Sequence, residues 1–459
     1  VLELNADITK IQGADYNPRK ITDEDLAALR DSVERLGVIK PIIVRNGTIV
    51  AGHQRTKALR RLGIERAPVY WLAKDTTQYD EVRFNQLHNG TDLDFGDEGA
   101  KFPKFDHVGH HQVDPESMIA NFRGEGVMVR GSIAEMVRTY GPWGACVASL
   151  DGDVIHAAQY ALAVAALGEK IDVFVLPDEQ VEFAKHALNR LYGVFTYDGI
   201  KRETYVQSLA QPKRMVGDSA VTQSRIYLFR VIPALEETPT MRVLDLGSGQ
   251  GAYPRDLRSK GFHVMDIEFF RRIGFKNNIN KPAVYRMIDR VAKDVVEGGL
   301  YDGTVLEAVL NSVDSVEAEQ AVMGCLNAFT KMGGRVFSTS RSMEGYENDM
   351  ARTSSMGRAI RRPEFLDENR LTAIWREGKW FFQKYHYTQE AKELFERYGF
   401  EVFDIWQELG YWLLVGRKVR EISDEEKRKA VQFEFEMPWP DGSRVGRSEQ
   451  MLKALALSE

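Results

Sequence analysis

Arg242-Val243-Leu244-Asp245-Leu246-Gly247-Ser248-Gly249-Gln250-Gly251 is a short apolar run that opens into three glycines at alternate positions. A helical pattern follows from Tyr253 to Lys260, Gly261 closes it, and the next strand is His263-Val264-Met265-Asp266-Ile267-Glu268. This is the spacing of a nucleotide-binding β-α-β unit with an acid ending the second strand. Glycines let the backbone approach a cofactor, and a carboxylate accepts hydrogen bonds from ribose hydroxyls. Dinucleotide sites usually carry Gly-x-Gly-x-x-Gly with no acid ahead of the loop. Asp245 stands there, which weighs against a nicotinamide cofactor.

Downstream, strands and helices alternate as a mostly parallel sheet requires. Tyr301 to Val313 reads as a strand and its exit, Val316 to Thr330 as a helix, and Val336–Ser340 as a strand entered through Gly333-Gly334-Arg335. Phe400–Ile405 and Tyr411–Arg417 read as a closing hairpin. The acid-x-Gly-x-Gly-x-Gly loop and this order resemble class I S-adenosylmethionine-dependent methyltransferases over about residues 220–418. The resemblance implies a Rossmann-like α/β domain with a seven-stranded sheet and the cofactor across the strand C-termini. It places Asp245, Gly247, Ser248, Gly249, Gly251 and Asn311 at the cofactor. The ribose acid is expected at Glu268, with Asp266 as the alternative. Residues between Phe275 and Glu297, where a third strand belongs, read more like helix. That leaves Asp289 as the candidate for the adenine-contacting acid.

Val309-Leu310-Asn311-Ser312-Val313 and the Gly333–Arg341 stretch also look similar to methyltransferases associated with bacterial DNA phosphorothioation systems. Other DNA methyltransferase patterns are missing. Amino-methyltransferases carry Asn/Asp-Pro-Pro-aromatic after the fourth strand, where Asn311-Ser312-Val313 stands. Base-carbon methyltransferases use Pro-Cys, whereas Cys146 follows Ala145 and Cys325 follows Gly324. Methyl transfer from a sulfonium is an in-line displacement, so a protein mainly holds the nucleophile within about 3–3.5 Å of the methyl carbon and excludes water. Asn311, Asp314, Arg341, Tyr385 and His386 are the candidates facing such a cleft. An insertion from Met343 to Tyr385 carries Arg352, Arg358, Arg361, Arg362, Arg370 and Arg376. It reads either as a basic lid for nucleic acid or as a solvated surface.

The first half of the chain contains a repeat. Asn46-Gly47-Thr48-Ile49-Val50 leads into Ala51-Gly52-His53-Gln54-Arg55-Thr56-Lys57-Ala58-Leu59, then Leu62-Gly63 and Val69-Tyr70-Trp71. Asp151-Gly152-Asp153-Val154-Ile155 leads in the same way into His156-Ala157-Ala158-Gln159-Tyr160-Ala161-Leu162-Ala163, then Leu167-Gly168 and Phe174-Val175-Leu176. Each copy reads as strand, turn, helix, glycine cap and strand. The second copy lacks the Gly-His-Gln-Arg chemistry. Its expected job is packing or dimer-like pairing with the first.

In the first copy, free N–H groups at the start of the helix after Gly52 would attract an anion, and Arg55 and Lys57 would add charge. Thr22 is the expected N-cap of an upstream helix. Asn17-Pro18-Arg19, the helix Asp25–Leu36, the strand Pro41–Val44 and the Gly52–Ala58 turn together resemble the ParB/sulfiredoxin superfamily over roughly residues 5–90. The closest flavour is the module attached to phage and bacterial DNA-modification methylases. The resemblance implies contact with nucleotide phosphates at Arg19, Gly52, His53, Gln54 and Arg55, and a nucleoside triphosphate as a second ligand. Sulfiredoxin chemistry is excluded because the turn has no cysteine, and no metal is expected. Arg55, Lys57, Arg60, Arg61 and Arg66 form a basic run, read as a solvated helix face or as a contact to the DNA backbone.

The chain of 459 residues is too long for one ordinary domain. The partition expected is a ParB-like domain at 1–95, a degenerate second copy at 96–210, a methyltransferase-like domain at 211–420 and a tail at 421–459. A formal net charge of -6 confines any nucleic-acid binding to a local patch. No apolar run reaches the length of a membrane span. Two cysteines cannot form a disulfide framework, and no charged-then-apolar leader opens the chain. These features fit a bacterial or phage-infected host cytoplasm. The leading expectation is an S-adenosylmethionine-dependent transferase acting on DNA or a modified nucleotide, with a homodimer allowed. The alternatives are a nucleotide-dependent DNA-binding switch with a non-catalytic methyltransferase-like domain, and a kinase-like use of the Gly-His-Gln-Arg turn.

Overall fold

The computed structural model describes residues 1–14, 17, 19–77, 80–82, 84–85, 88, 100–120, 127–190, 192–197, 200, 224–273, 278–351, 366–376 and 379–458. Pro18 and four arginines of the insertion (Arg352, Arg358, Arg361 and Arg362) lie outside them, as does the expected boundary near residue 210. The chain divides into two compact units, one built on residues 1–200 and the other on residues 201–351 and 379–459.

In the first unit the repeat is visible as topology. Strand Ile42–Arg45 pairs antiparallel with Thr48–Ala51 and parallel with Arg66–Trp71, and helix His53–Arg61 connects the latter two. Strand Cys146–Ser149 pairs antiparallel with Val154–His156 and parallel with Ile171–Leu176, around helix Ala158–Ala166. Each antiparallel pair carries one register shift. Both helices start from a left-handed residue, Gly52 at φ 93 and Ala157 at φ 64. The second copy thus keeps a conformation that alanine adopts only at a cost. Ile43, Val50 and Tyr70 of the first copy share one apolar core with Cys146, Leu162 and Val173 of the second. Thr22 caps the helix Asp23–Leu36 by accepting the Asp25 N–H, as its position predicts.

The second unit holds a sheet ordered Val264–Ile267, Val243–Leu246, Tyr301–Glu307, Thr330–Arg341, Tyr411–Lys418, Phe400–Glu408. The first four are parallel, Tyr411–Lys418 runs antiparallel to them, and Phe400–Glu408 reverses again to run in their direction. The expected seventh strand is absent among the described residues. Its place in the chain is taken by helix Lys281–Gly298, whose Val284, Met287, Ile288, Val291 and Val295 make an apolar face of helical period. Residues 421–459, read from sequence as a tail without a role, are part of this unit. Helix Asp424–Phe435 packs on helix Val316–Phe329, close enough that Gly324 has no room for a side chain against Ala430. The Trp439 indole donates to the Phe269 carbonyl (2.9 Å), and helix Ser448–Ala454 packs on Lys281–Gly298. Phe435, Trp439, Met451 and Leu452 thereby complete one core with Leu244, Ile267 and Phe329. No helix among the described residues is long and apolar enough to cross a membrane.

Candidate functional site

The glycine loop leaves the C-terminal end of strand Val243–Leu246, where parallel sheets place their ligands. Its three glycines have different surroundings. A Cβ on Gly247 would lie 2.4 Å from a Val309 methyl, and one on Gly251 would lie 2.5 Å from the Arg271 guanidinium. A Cβ on Gly249, at φ 59, would meet nothing within 4 Å. Two glycines are therefore needed for close packing, while the middle one faces open space. The Gly249 N–H donates to the Glu268 carboxylate (2.8 Å), whose other oxygen accepts the Phe270 N–H (2.8 Å).

The acids around the loop are sorted by their partners. Asp266, 3% exposed, accepts from Arg258 (2.8 Å), Arg271 (2.7 Å) and the Ser248 hydroxyl (3.2 Å). It anchors the loop from beneath, which leaves Glu268 as the acid beside Gly249. Asp245 is buried and accepts from the Tyr227 hydroxyl (2.6 Å), so it too supports the loop from below. Asp289 is exposed and accepts from Gln450 (2.9 Å). It lies on the side of its helix opposite Met287, which touches Arg271, so the structure does not bring it to the loop.

The structure brings some of the catalytic candidates together. Asn311 sits in the short helix Leu310–Ser312 and accepts from the Ser340 hydroxyl (3.1 Å). Arg341, the last residue of its strand, donates to the Tyr385 hydroxyl (3.3 Å). Strand Lys379–Lys384 runs beside Leu310–Ser312 and places Tyr385 near this edge. His386 has a different task. It is buried, bonds Glu319 through Nε2, and Lys384 lies 3.6 Å from the same carboxylate. Burial works against that charge, but the His386 bond and Lys384 outweigh it and hold the Glu319 carboxyl below the usual range. This ion cluster fixes the strand to helix Val316–Phe329. Arg370 is likewise committed, to Glu390 and to the Tyr387 ring.

Two residues near the loop had no sequence motif to reveal them. Arg271 follows the second strand and ties Asp266 to Ser248 (3.1 Å). Glu434 lies on the buried face of helix Asp424–Phe435, with Ala430, Val431 and Phe435. Burial, reinforced by the charges of Asp314 and Glu268, pushes its carboxyl up to about 8. A glutamate placed among helical apolar positions was the available signal.

In the first unit, a cavity of about 130 Å³ opens beside the Gly52–Arg55 turn, lined by both copies of the repeat. Arg19, Lys40, Arg55 and Arg190 reach it, and no carboxylate is among its described lining residues. Arg190 is backed by Asp25 (2.6 Å), and Arg19 stacks on Phe195 (4.7 Å). Arg55 donates to the Pro41 carbonyl (3.2 Å), and Gln54 to the Arg19 carbonyl (3.1 Å). His53 borders the cavity, but its Nε2 accepts the Ala14 N–H (3.1 Å) and burial lowers its pKa to about 4. It is neutral near pH 7 and positions the turn rather than adding charge. The basic run is also partly used internally. Arg60 donates to the Ile8 and Ile11 carbonyls, and Arg66 to the Asn5 carbonyl. In the second copy, Asp106, His107 and His111 gather at the surface.

Residues 3–86 match the ParB N-terminal domain, and residues 223–405 match a methyltransferase domain. The chain joins a ParB-like domain to a methyltransferase domain. Over 68 residues the ParB-like domain is 41% identical to a probable chromosome-partitioning protein ParB of Xylella fastidiosa (strain 9a5c), covering 14% of this chain and 22% of that protein. The chain thus spans about a fifth of the length of the curated relatives it matches. The methyltransferase domain is similar to the 1,6-didemethyltoxoflavin-N1-methyltransferase of Burkholderia thailandensis, solved with S-adenosylhomocysteine. Identity there is 17%, with coverage of 44% of this chain and 82% of that one and a TM-score of 0.28. The ParB-like domain is similar to ParB of Caulobacter crescentus complexed with CTP-gamma-S, at 27% identity, coverage of 19% and 52%, and a TM-score of 0.18.

Proposed function

We propose that the chain is an S-adenosylmethionine-dependent methyltransferase acting on DNA or a modified nucleotide, with its ParB-like domain engaging the nucleic acid or a nucleotide. The observation that carries the reading is the open side of Gly249 beside the Glu268 carboxylate. A cofactor ribose fits there: the backbone can be approached without a side chain in the way, and a carboxylate can accept hydrogen bonds from the ribose hydroxyls. Gly247, Ser248, Gly249 and Glu268 would hold the cofactor, which supplies an electrophilic methyl group. Asn311, Arg341 and Tyr385, at the same edge, would orient the acceptor and exclude water. Asp314 precedes helix Val316–Phe329 and remains a candidate base.

The cationic cavity supports a nucleoside triphosphate or DNA phosphate as the ligand of the first unit. Incubation of the protein with radiolabelled S-adenosylmethionine and phage or host DNA is expected to label the DNA. Cofactor binding without label on any nucleic acid would overturn the DNA part. Arg55→Ala is expected to abolish triphosphate binding, and retained binding would favour a site elsewhere.

A further inference from the structure

We propose that Glu434, delivered by residues 421–459, is the carboxyl that reads the Watson–Crick edge of the cofactor's adenine. The proposal rests on the cofactor reading above and assigns a contact that the sheet leaves vacant. Among the described residues no strand lies in the chain between Val264–Ile267 and Tyr301–Glu307, where helix Lys281–Gly298 stands, and its Asp289 bonds Gln450. An acid for the adenine therefore has to come from another element.

Glu434 meets the requirement by position. Its helix crosses Val316–Phe329, and the chain beyond it is pinned beside Glu268: the Phe435 ring packs edge-on against Phe269 (5.1 Å), and Trp439 donates to the Phe269 carbonyl. The Glu434 side chain is 9% exposed and has no hydrogen bond or ion pair among the described residues. The titratable groups that face it there are Glu268 at the end of the second strand, Asp314 before the helix, and the buried Cys325 thiol on that helix. If Glu268 holds the ribose, an adenine extending from it toward the exit of strand Tyr301–Glu307 would meet the Glu434 carboxyl, which feels both Glu268 and Asp314. A largely buried side chain whose carboxyl has no protein partner among the described residues is free to take a ligand's hydrogen bonds.

The protonation state suits adenine. Held neutral near pH 7, the acid donates its O–H to ring N1 and accepts from the exocyclic amine, two hydrogen bonds to one edge. A carboxylate can make only the second. An amide presents the same donor and acceptor pair, so Glu434→Gln mimics the neutral acid.

The test is calorimetric titration of the full chain with S-adenosylhomocysteine, on wild type, Gly249→Arg, Glu434→Gln and Glu434→Ala, with circular dichroism to confirm folding. Wild-type affinity is expected to fall as pH rises through about 8, and Glu434→Gln to keep near-wild-type affinity without that fall. Glu434→Ala should weaken binding about tenfold. An analogue lacking ring N1 should lose affinity for wild type but not further for Glu434→Ala. If Gly249→Arg abolishes binding while folded Glu434→Ala binds as wild type, the Glu434 assignment is overturned and the cofactor reading stands. A Glu434→Gln protein with wild-type pH dependence would overturn it without relying on alanine. No heat from wild type would remove the cofactor reading itself, and the adenine contact with it.

Discussion

The Gly249 N–H and the Glu268 carboxylate are hydrogen-bonded across 2.8 Å. The glycine loop and the acid ending the neighbouring strand are thus locked together before any ligand arrives. If the loop holds a cofactor ribose as proposed, preorganisation of this kind would lower the entropy cost of binding.

Gly249→Arg should abolish S-adenosylmethionine binding while leaving the fold in place. The new Cβ meets open space, so the penalty is the left-handed backbone, about 1–2 kcal/mol. The long side chain then fills the volume a cofactor would use. Titration calorimetry checks the first expectation, and thermal unfolding the second.

Arg271→Ala should destabilise the methyltransferase unit by about 3–5 kcal/mol, because Asp266 loses one of its two close arginine partners while staying buried. The double variant Arg271→Met with Asp266→Asn should recover much of the loss. Denaturant unfolding of the three proteins measures both effects.

The His53 pKa lies below that of a free histidine, so its effect on stability depends on pH in one direction. The contribution is fully present above the unfolded value near 6.5 and is lost as pH falls towards about 4. The first unit should weaken on acidification through this window. His53→Gln, which can still accept the Ala14 N–H, should flatten that slope. Unfolding midpoints across the window decide it.

Trp439→Ala removes a nearly buried indole and leaves the Phe269 carbonyl without its donor. A cost of about 3–5 kcal/mol is expected for the second unit. Cofactor affinity should fall as well, because Phe269 follows Glu268 directly. Unfolding and titration with S-adenosylhomocysteine measure the two losses.

What the sequence disclosed was local. The glycine loop, the Thr22 cap and the two copies of the repeat were readable because spacing along the chain decides them. The roles of Asp266 and Glu268 were not, since arginines at 258 and 271 settle which acid is anchored. His53 and His386 looked like chemistry because histidine is versatile, yet the Ala14 N–H and Glu319 are their observed partners. Asp289 is exposed on its helix and accepts from Gln450, a placement that helical period alone does not assign to a ligand. Residues 421–459 were opaque because an amphipathic helix shows that it will be covered, but not by what.

Helix Asp424–Phe435 closes over Val316–Phe329 only after the ribosome has made everything between them. During synthesis the Gly324 groove stays bare, and the core around Phe329 lacks Phe435 and Met451. The core of the methyltransferase unit is therefore completed only when residues 424–457 have been synthesised, and the apolar surface they cover stays open until then.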